Sequence, residues 1–184
     1  MMKWSDIPEF ISCNYAVDYP ICDIIRLFID CEIENNGLQM NPDFQRGNVW
    51  TASQQCAYIE FLLREGKSGR DLYFNDPAMR GSPIDGYTDF VCVDGLQRIT
   101  AIRRFCNDEI KAFGLKRSEF EGRLGITNTV RVHINSLKTK AEVLQWYLEM
   151  NSGGTVHSSE ELKRVKALLD EENKILYQKE GFLK

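Results

Sequence analysis

Apolar positions fall at helical spacing in YPICDIIRLFIDCEIENNG, where Ile21, Ile24, Ile25, Phe28 and Ile29 share a face and Asn35-Asn36-Gly37 supplies a stop. A short extended piece, LQMNPDFQR, follows. TASQQCAYIEFLLREG reads as a second helix: Thr51 is its N-cap, Gln54 three residues on completes a capping box, and Gly66 ends it. Its apolar stripe is Cys56, Ile59, Leu62 and Leu63. DLYFN, TDFVCVD and TVRVHIN predict strands, the last from strict alternation. Between the first two, NDPAMRGSPIDGYTD is rich in Gly, Pro and Asp and predicts an exposed loop. GLQRITAIRRFCND continues the second strand directly into a helix that buries Leu96, Ile99, Ile102 and Phe105 or Cys106. KAFGLKRSEFEGRLGITN has little periodicity, and only a short helix around Ser118 to Leu124 is expected there. TKAEVLQWYLEM opens with a second capping box, Thr139 with Glu142. A final helix is expected from Ser158, with Glu161 completing a third box and Leu162, Val165, Leu168, Leu169, Ile175 and Leu176 facing the core. The pattern predicts an α+β fold: a small mixed sheet surrounded by helices, helix-rich toward the C-terminus. Residues 1–184 are expected to form one domain, with 156–184 as a helical extension.

Composition narrows the function. With 43% hydrophobic and 27% charged residues among 184, the chain can build a real core. A net charge of −4 argues against a general nucleic-acid coat protein, which needs a basic excess, but leaves room for a local basic pocket. Cys13, Cys22, Cys31, Cys56, Cys92 and Cys106 form no C-x-x-C pair. The N-terminal MMKWSDIPEF lacks an apolar signal region, and no apolar run is long enough to span a membrane. A reduced, cytoplasmic protein is therefore expected. His133 and His157 are the two histidines, too few for a zinc cluster or an HNH-type nuclease centre. The run LKRVK and the pair Arg103-Arg104 read as solvated helix faces, and Arg64, Lys67 and Arg70 as a modest basic patch.

Two Gln-Arg pairs carry the candidate chemistry. In VDGLQR an apolar strand stops at Asp94, Gly95 permits a tight turn, and a helix begins at once. Its first N–H groups form an anion site reinforced by the helix dipole. Arg98 can add a bidentate phosphate contact, Asp94 can hold Mg²⁺ or orient water, and Gln97 can position an attacking water. The competing reading makes Asp94 an N-cap and Gln97 its reciprocal capping partner. FQRGNVW has the same layout: Gln45 and Arg46, a Gly47-Asn48 turn, then the Thr51 helix start. Trp50 can stack on a base or serve as a hydrophobic staple. NSGGT, with Asn151, Gly153, Gly154 and Thr155, is either a ligand-approach loop or a helix stop.

In order, PDFQRGNVW, DLYFN, FVCVDGLQRITAI and WYLEMNSGGTVHSSEEL resemble the domain that opens GmrSD-type modification-dependent restriction enzymes, which also occurs in phosphorothioate-sensing SspE and other phage-defence proteins. That domain belongs to the ParB/sulfiredoxin-like superfamily, and the resemblance runs from about Ile21 to about Leu169. It implies nucleotide binding and hydrolysis, often of GTP, or control of an attached nuclease. Carried over by position, Asp94, Gly95, Gln97 and Arg98 form the nucleotide motif, joined by Thr100. Pro42, Phe44, Gln45, Arg46, Val49 and Trp50 form a second element, and Asn151, Gly153, Gly154 and Thr155 a third.

The departures shape the expectation. Leu96 replaces the first Gln of the family's DGQQR, so binding of GTP, ATP or CTP is favoured over turnover. His157-Ser158 stands where a Leu-Ser pair is usual, and no HNH half follows in this sequence. The Gly-Cys-His-Arg motif of sulfiredoxin-like repair has no counterpart, because Leu96 follows Gly95. The resemblance thus implies a nucleotide-binding domain of phage–host conflict with Mg²⁺ as cofactor. A non-catalytic module binding DNA, a nuclease or a phage or host factor is the second expectation, and a metal-dependent DNA nuclease the third.

Overall fold

The computed structural model describes residues 15–45, 47, 49–79, 87–122, 124–151 and 159–181. Four strands form one mixed sheet in the order β1-β4-β2-β3: β1 (Tyr15–Pro20), β2 (Asp71–Asn75), β3 (Val91–Asp94) and β4 (Thr129–Asn135). β4 pairs antiparallel with β1 and parallel with β2, and β2 pairs antiparallel with β3. The α+β expectation holds, including the three predicted strands. The sequence pattern alone predicts no strand at β1. It sits at the sheet edge, and only Val17 and Tyr19 reach the core, too few apolar positions to reveal a strand.

Strand alternation divides the apolar side chains between two faces. Leu72, Phe74, Cys92, Val130, Val132 and Ile134 pack against the first helical region, α2 (Ala52–Leu63) and α3 (Leu96–Cys106). On the other face Val91, Val93 and Tyr73 meet Phe44, α4 (Lys140–Asn151) and α5 (Ser159–Gly181). The first region buries Ile21, Ile24, Ile25, Phe28 and Ile29 as expected. It is wound as a π-helix over Ile25–Asp30 and as α1 over Cys31–Asn36, and Gly37 ends it in the left-handed conformation. The predicted helix near Ser118 to Leu124 is instead one 3₁₀ turn, Arg117–Glu119. On α5, Val165 is buried and Leu168 and Leu169 pack beside it, whereas Ile175 is exposed and does not extend the stripe.

Local signals set the helix ends. Thr51 Oγ1 accepts from Gln54 N–H at 3.3 Å, and Thr51 N–H donates to Gln54 Oε1 at 2.9 Å. Thr139 and Glu142 form the corresponding box. The third box, Ser158 with Glu161, lies outside the described residues. At the far end of α2 the left-handed residue is Glu65 (φ 60°), with Gly66 N–H donating to Phe61 C=O, so the stop precedes Gly66 by one residue. Thr51→Ala should cost about 1 kcal/mol in urea unfolding, whereas Thr51→Asn should cost only a few tenths because its side chain can still cap.

Candidate functional site

The centre of the site is the passage from β3 into α3. Val91, Cys92 and Val93 are buried, and a register shift at Tyr73/Phe74 leaves Asp94 opposite Tyr73 as the strand ends. Such bulges re-aim the side chains beside them. Gly95 turns the chain at φ 129°, ψ −4° and becomes the N-cap of α3 with no side-chain cap. A β-carbon there would stand 2.7 Å from Leu72 Cδ2 and 3.5 Å from Leu72 Cα, so the position excludes side chains by both conformation and space. The D-x-x-Q capping box therefore does not form. Beneath the junction, burial and then the nearby Asp94 carboxylate push the Cys92 thiol up to about 12, which keeps it protonated and unreactive.

Gln97 turns away from Asp94 and crosses to the other motif. Its Oε1 accepts from Val49 N–H at 2.9 Å and Trp50 N–H at 3.0 Å, and its Nε2 donates to Gly47 C=O at 2.6 Å. Gln45 makes the reverse crossing: its Nε2 donates to the carbonyls of Cys92 and Val93. Each glutamine thus binds the backbone of the other segment, and the two motifs lie together across the start of α3. Arg46 falls outside the described residues, as do Gly153, Gly154 and Thr155.

Arg98 closes the junction from within. Its guanidinium donates to Asp94 Oδ2 at 2.5 Å and to the Asp71 carbonyl. The Arg98 side chain is 19% exposed and that of Asp94 36%. Burial works to lower the Arg98 pKa, but the Asp94 carboxylate more than offsets it, and the group is held charged above its ordinary value. Asp71 extends the polar chain, its carboxylate meeting His133 Nε2 at 2.7 Å, and the His133 ring stacks on Tyr73 at 4.7 Å. Asp71, Tyr73 and His133 were not candidates in the sequence. Their signal, alternate positions on two strands, becomes visible only once the register is known.

The remaining candidates have local partners. Thr100 Oγ1 donates to Leu96 C=O at 2.8 Å, and Asn151 Nδ2 donates to Tyr147 C=O at 2.7 Å. Trp50 is half-buried and packs edge-on against Tyr58 at 5.3 Å, where it anchors the entry to α2. The basic clusters need correction. Arg164, in LKRVK, donates to Phe44 C=O and Gln45 C=O at 3.2 and 3.0 Å and so ties α5 to the first motif. Arg70 is no surface patch: it donates to the carbonyls of Leu62, Gly66 and Thr129 and to Asn128 Oδ1. Arg103 pairs with Asp30 at 2.6 Å, while Arg104 reaches Glu109 and the buried Gln55. Among the described residues no three His, Cys, Asp or Glu side chains gather as a metal site. No described helix is long and apolar enough to cross a membrane.

A family model described as the N-terminal domain of the GmrSD restriction endonuclease matches residues 28–124. The match spans both Gln-Arg segments, β2, β3 and α3. No curated protein and no solved structure matches the chain significantly.

Proposed function

The chain belongs to the GmrSD N-terminal-domain family, which links it to restriction and phage defence, and from that premise we propose that its paired motifs frame a nucleoside triphosphate site at the start of α3. The reciprocal clamping by Gln45 and Gln97 carries this reading. It gathers two arginine-bearing segments at a helix start that has no side-chain cap, an arrangement suited to phosphate oxygens. Arg46 and the Gly153-Gly154-Thr155 loop are proposed as further ligand contacts. Gln45 and Gln97 would act as positioning residues, with Asp94 and Arg98 facing the ligand.

Mg²⁺ suits this donor set only as an ion that also takes phosphate oxygens. Such ions commonly use one or two carboxylates, and Asp94, at the strand end beside Gly95, is partly exposed. When bound, it would neutralise phosphate charge, with Asp94 as its protein ligand. Hydrolysis is not favoured. Both ends of the Gln97 amide are engaged by backbone, and Leu96 offers no polar group to orient water. We therefore read the site as one that binds without turnover. Isothermal titration with GTP, ATP and CTP in Mg²⁺ should give saturable binding of at least one. Arg46→Ala should weaken it at least about tenfold, or about 1.4 kcal/mol. Absence of binding by the wild type to all three would remove the proposal.

A non-catalytic module that binds DNA or a protein partner is the second reading, favoured by the internal engagement of Arg98 and both glutamines. Salt-steep DNA binding without nucleotide binding would select it.

A further inference from the structure

At the opposite end of α3, about 15 Å from Gly95 along the helix, a different cluster faces a cavity of about 740 Å³. Pro20, Cys22, Phe105, Arg117, Phe120 and Ile126 line it, and Ile126 is 82% exposed at its mouth. Cys22 lies just beyond β1, and Cys106 is the last residue of α3. The two thiols lie close enough that each perturbs the other's ionisation. Arg117 Nε donates to Cys22 Sγ at 3.4 Å, bringing a guanidinium onto the same sulfur. A cation, a second thiol and solvent access are the three features that make a cysteine reactive toward oxidants and able to resolve the product.

We propose that Cys22 and Cys106 form a peroxide-responsive dithiol, with Cys22 as the attacking thiolate, Cys106 as the resolving thiol and Arg117 as the cation that holds the thiolate. The Cys22 thiolate attacks one peroxide oxygen, the O–O bond breaks, and Cys22 sulfenic acid and hydroxide result. The Cys106 thiol then attacks the sulfenic sulfur and displaces water. Two electrons leave the sulfurs and reduce the peroxide, and a Cys22–Cys106 disulfide remains.

The electrostatics agree with these roles. The hydrogen bond from Cys106, and then Arg117, lower the Cys22 pKa against burial and the neighbouring Asp23 carboxylate. The Cys106 thiol is raised, first because its proton is held by Cys22. Among the described residues, Asp23, Glu121 and Arg117 are the charged side chains on the cavity wall. The other described thiols lack this arrangement. Cys92 is fully buried, and exposed Cys31 receives only the neutral Asn35 amide, at 3.4 Å.

The test is peptide-resolved alkylation and oxidation of the reduced full chain. At pH about 6.5, iodoacetamide should modify Cys22 about tenfold faster than Cys31. Arg117→Ala should reduce that advantage, and Arg117→Lys should retain most of it with an unchanged circular dichroism spectrum. Equimolar hydrogen peroxide should yield a Cys22–Cys106 linked peptide that dithiothreitol reverses. In Cys106→Ser the same treatment should leave a dimedone-reactive sulfenic acid on Cys22. Oxidation of Cys31 before Cys22, or no linked peptide in the wild type, would overturn the proposal.

Discussion

Gly95→Ala should destabilise the fold by about 4 kcal/mol, the largest single-residue effect expected at the junction. Two costs act together. At φ 129° the backbone occupies a region that side chains rarely adopt, and the new methyl would approach Leu72 Cδ2 to 2.7 Å. Leu72 is fully buried in the centre of the sheet, so it can yield only by disturbing its neighbours. Gly114→Ala separates the two costs. Its φ is +78° with nothing within 4 Å of the added carbon, so it should lose only about 1–2 kcal/mol from conformation. Urea unfolding followed by circular dichroism measures both. Near-equal losses would mean that the contact with Leu72 contributes nothing and that conformation alone requires glycine at 95.

Gln97→Met should cost about 3 kcal/mol, close to the sum of three hydrogen bonds at about 1 kcal/mol each. Methionine keeps the length and apolar volume of the side chain but leaves Val49 N–H, Trp50 N–H and Gly47 C=O without the partner that joins them to α3. Val49 is 47% exposed, so water can recover part of that loss. Gln97→Glu should fall between wild type and methionine, because a carboxylate still accepts the two N–H groups but opposes the Gly47 carbonyl. Hydrogen exchange should show the specific consequence: amides 49 and 50 lose protection in Gln97→Met while the β4 amides do not. Uniform loss across the chain would instead make Gln97 an ordinary stability residue without a clamping role.

Much of the framework was legible because its signals are local. The Thr51/Gln54 and Thr139/Glu142 boxes involve residues three apart, and alternation in TVRVHIN needs no partner to be recognised. The Ile21 to Ile29 face was legible too, although the π-helical winding was not. The apolar positions point inward under either winding, and what distinguishes the two is the backbone hydrogen-bond register. Charged side chains were the least legible. Arg70 and Arg164 resemble solvated cations in sequence, yet their acceptors lie between 4 and 120 residues away.

By itself the sequence determined the two Gln-Arg segments, the glycine between β3 and α3, the capped helices and the family to which they belong. Only the tertiary structure decided what those groups do for one another. It turned Gln97 from a cap of its own helix into a clamp on Gly47, Val49 and Trp50, placed Arg98 on Asp94 and Asp71, and set Cys22 beside Cys106 from 84 residues away. The reason is that a glutamine amide or a guanidinium has many geometrically equivalent partners in sequence. Which one it meets depends on strand register and helix packing, which bring distant backbone within hydrogen-bonding reach.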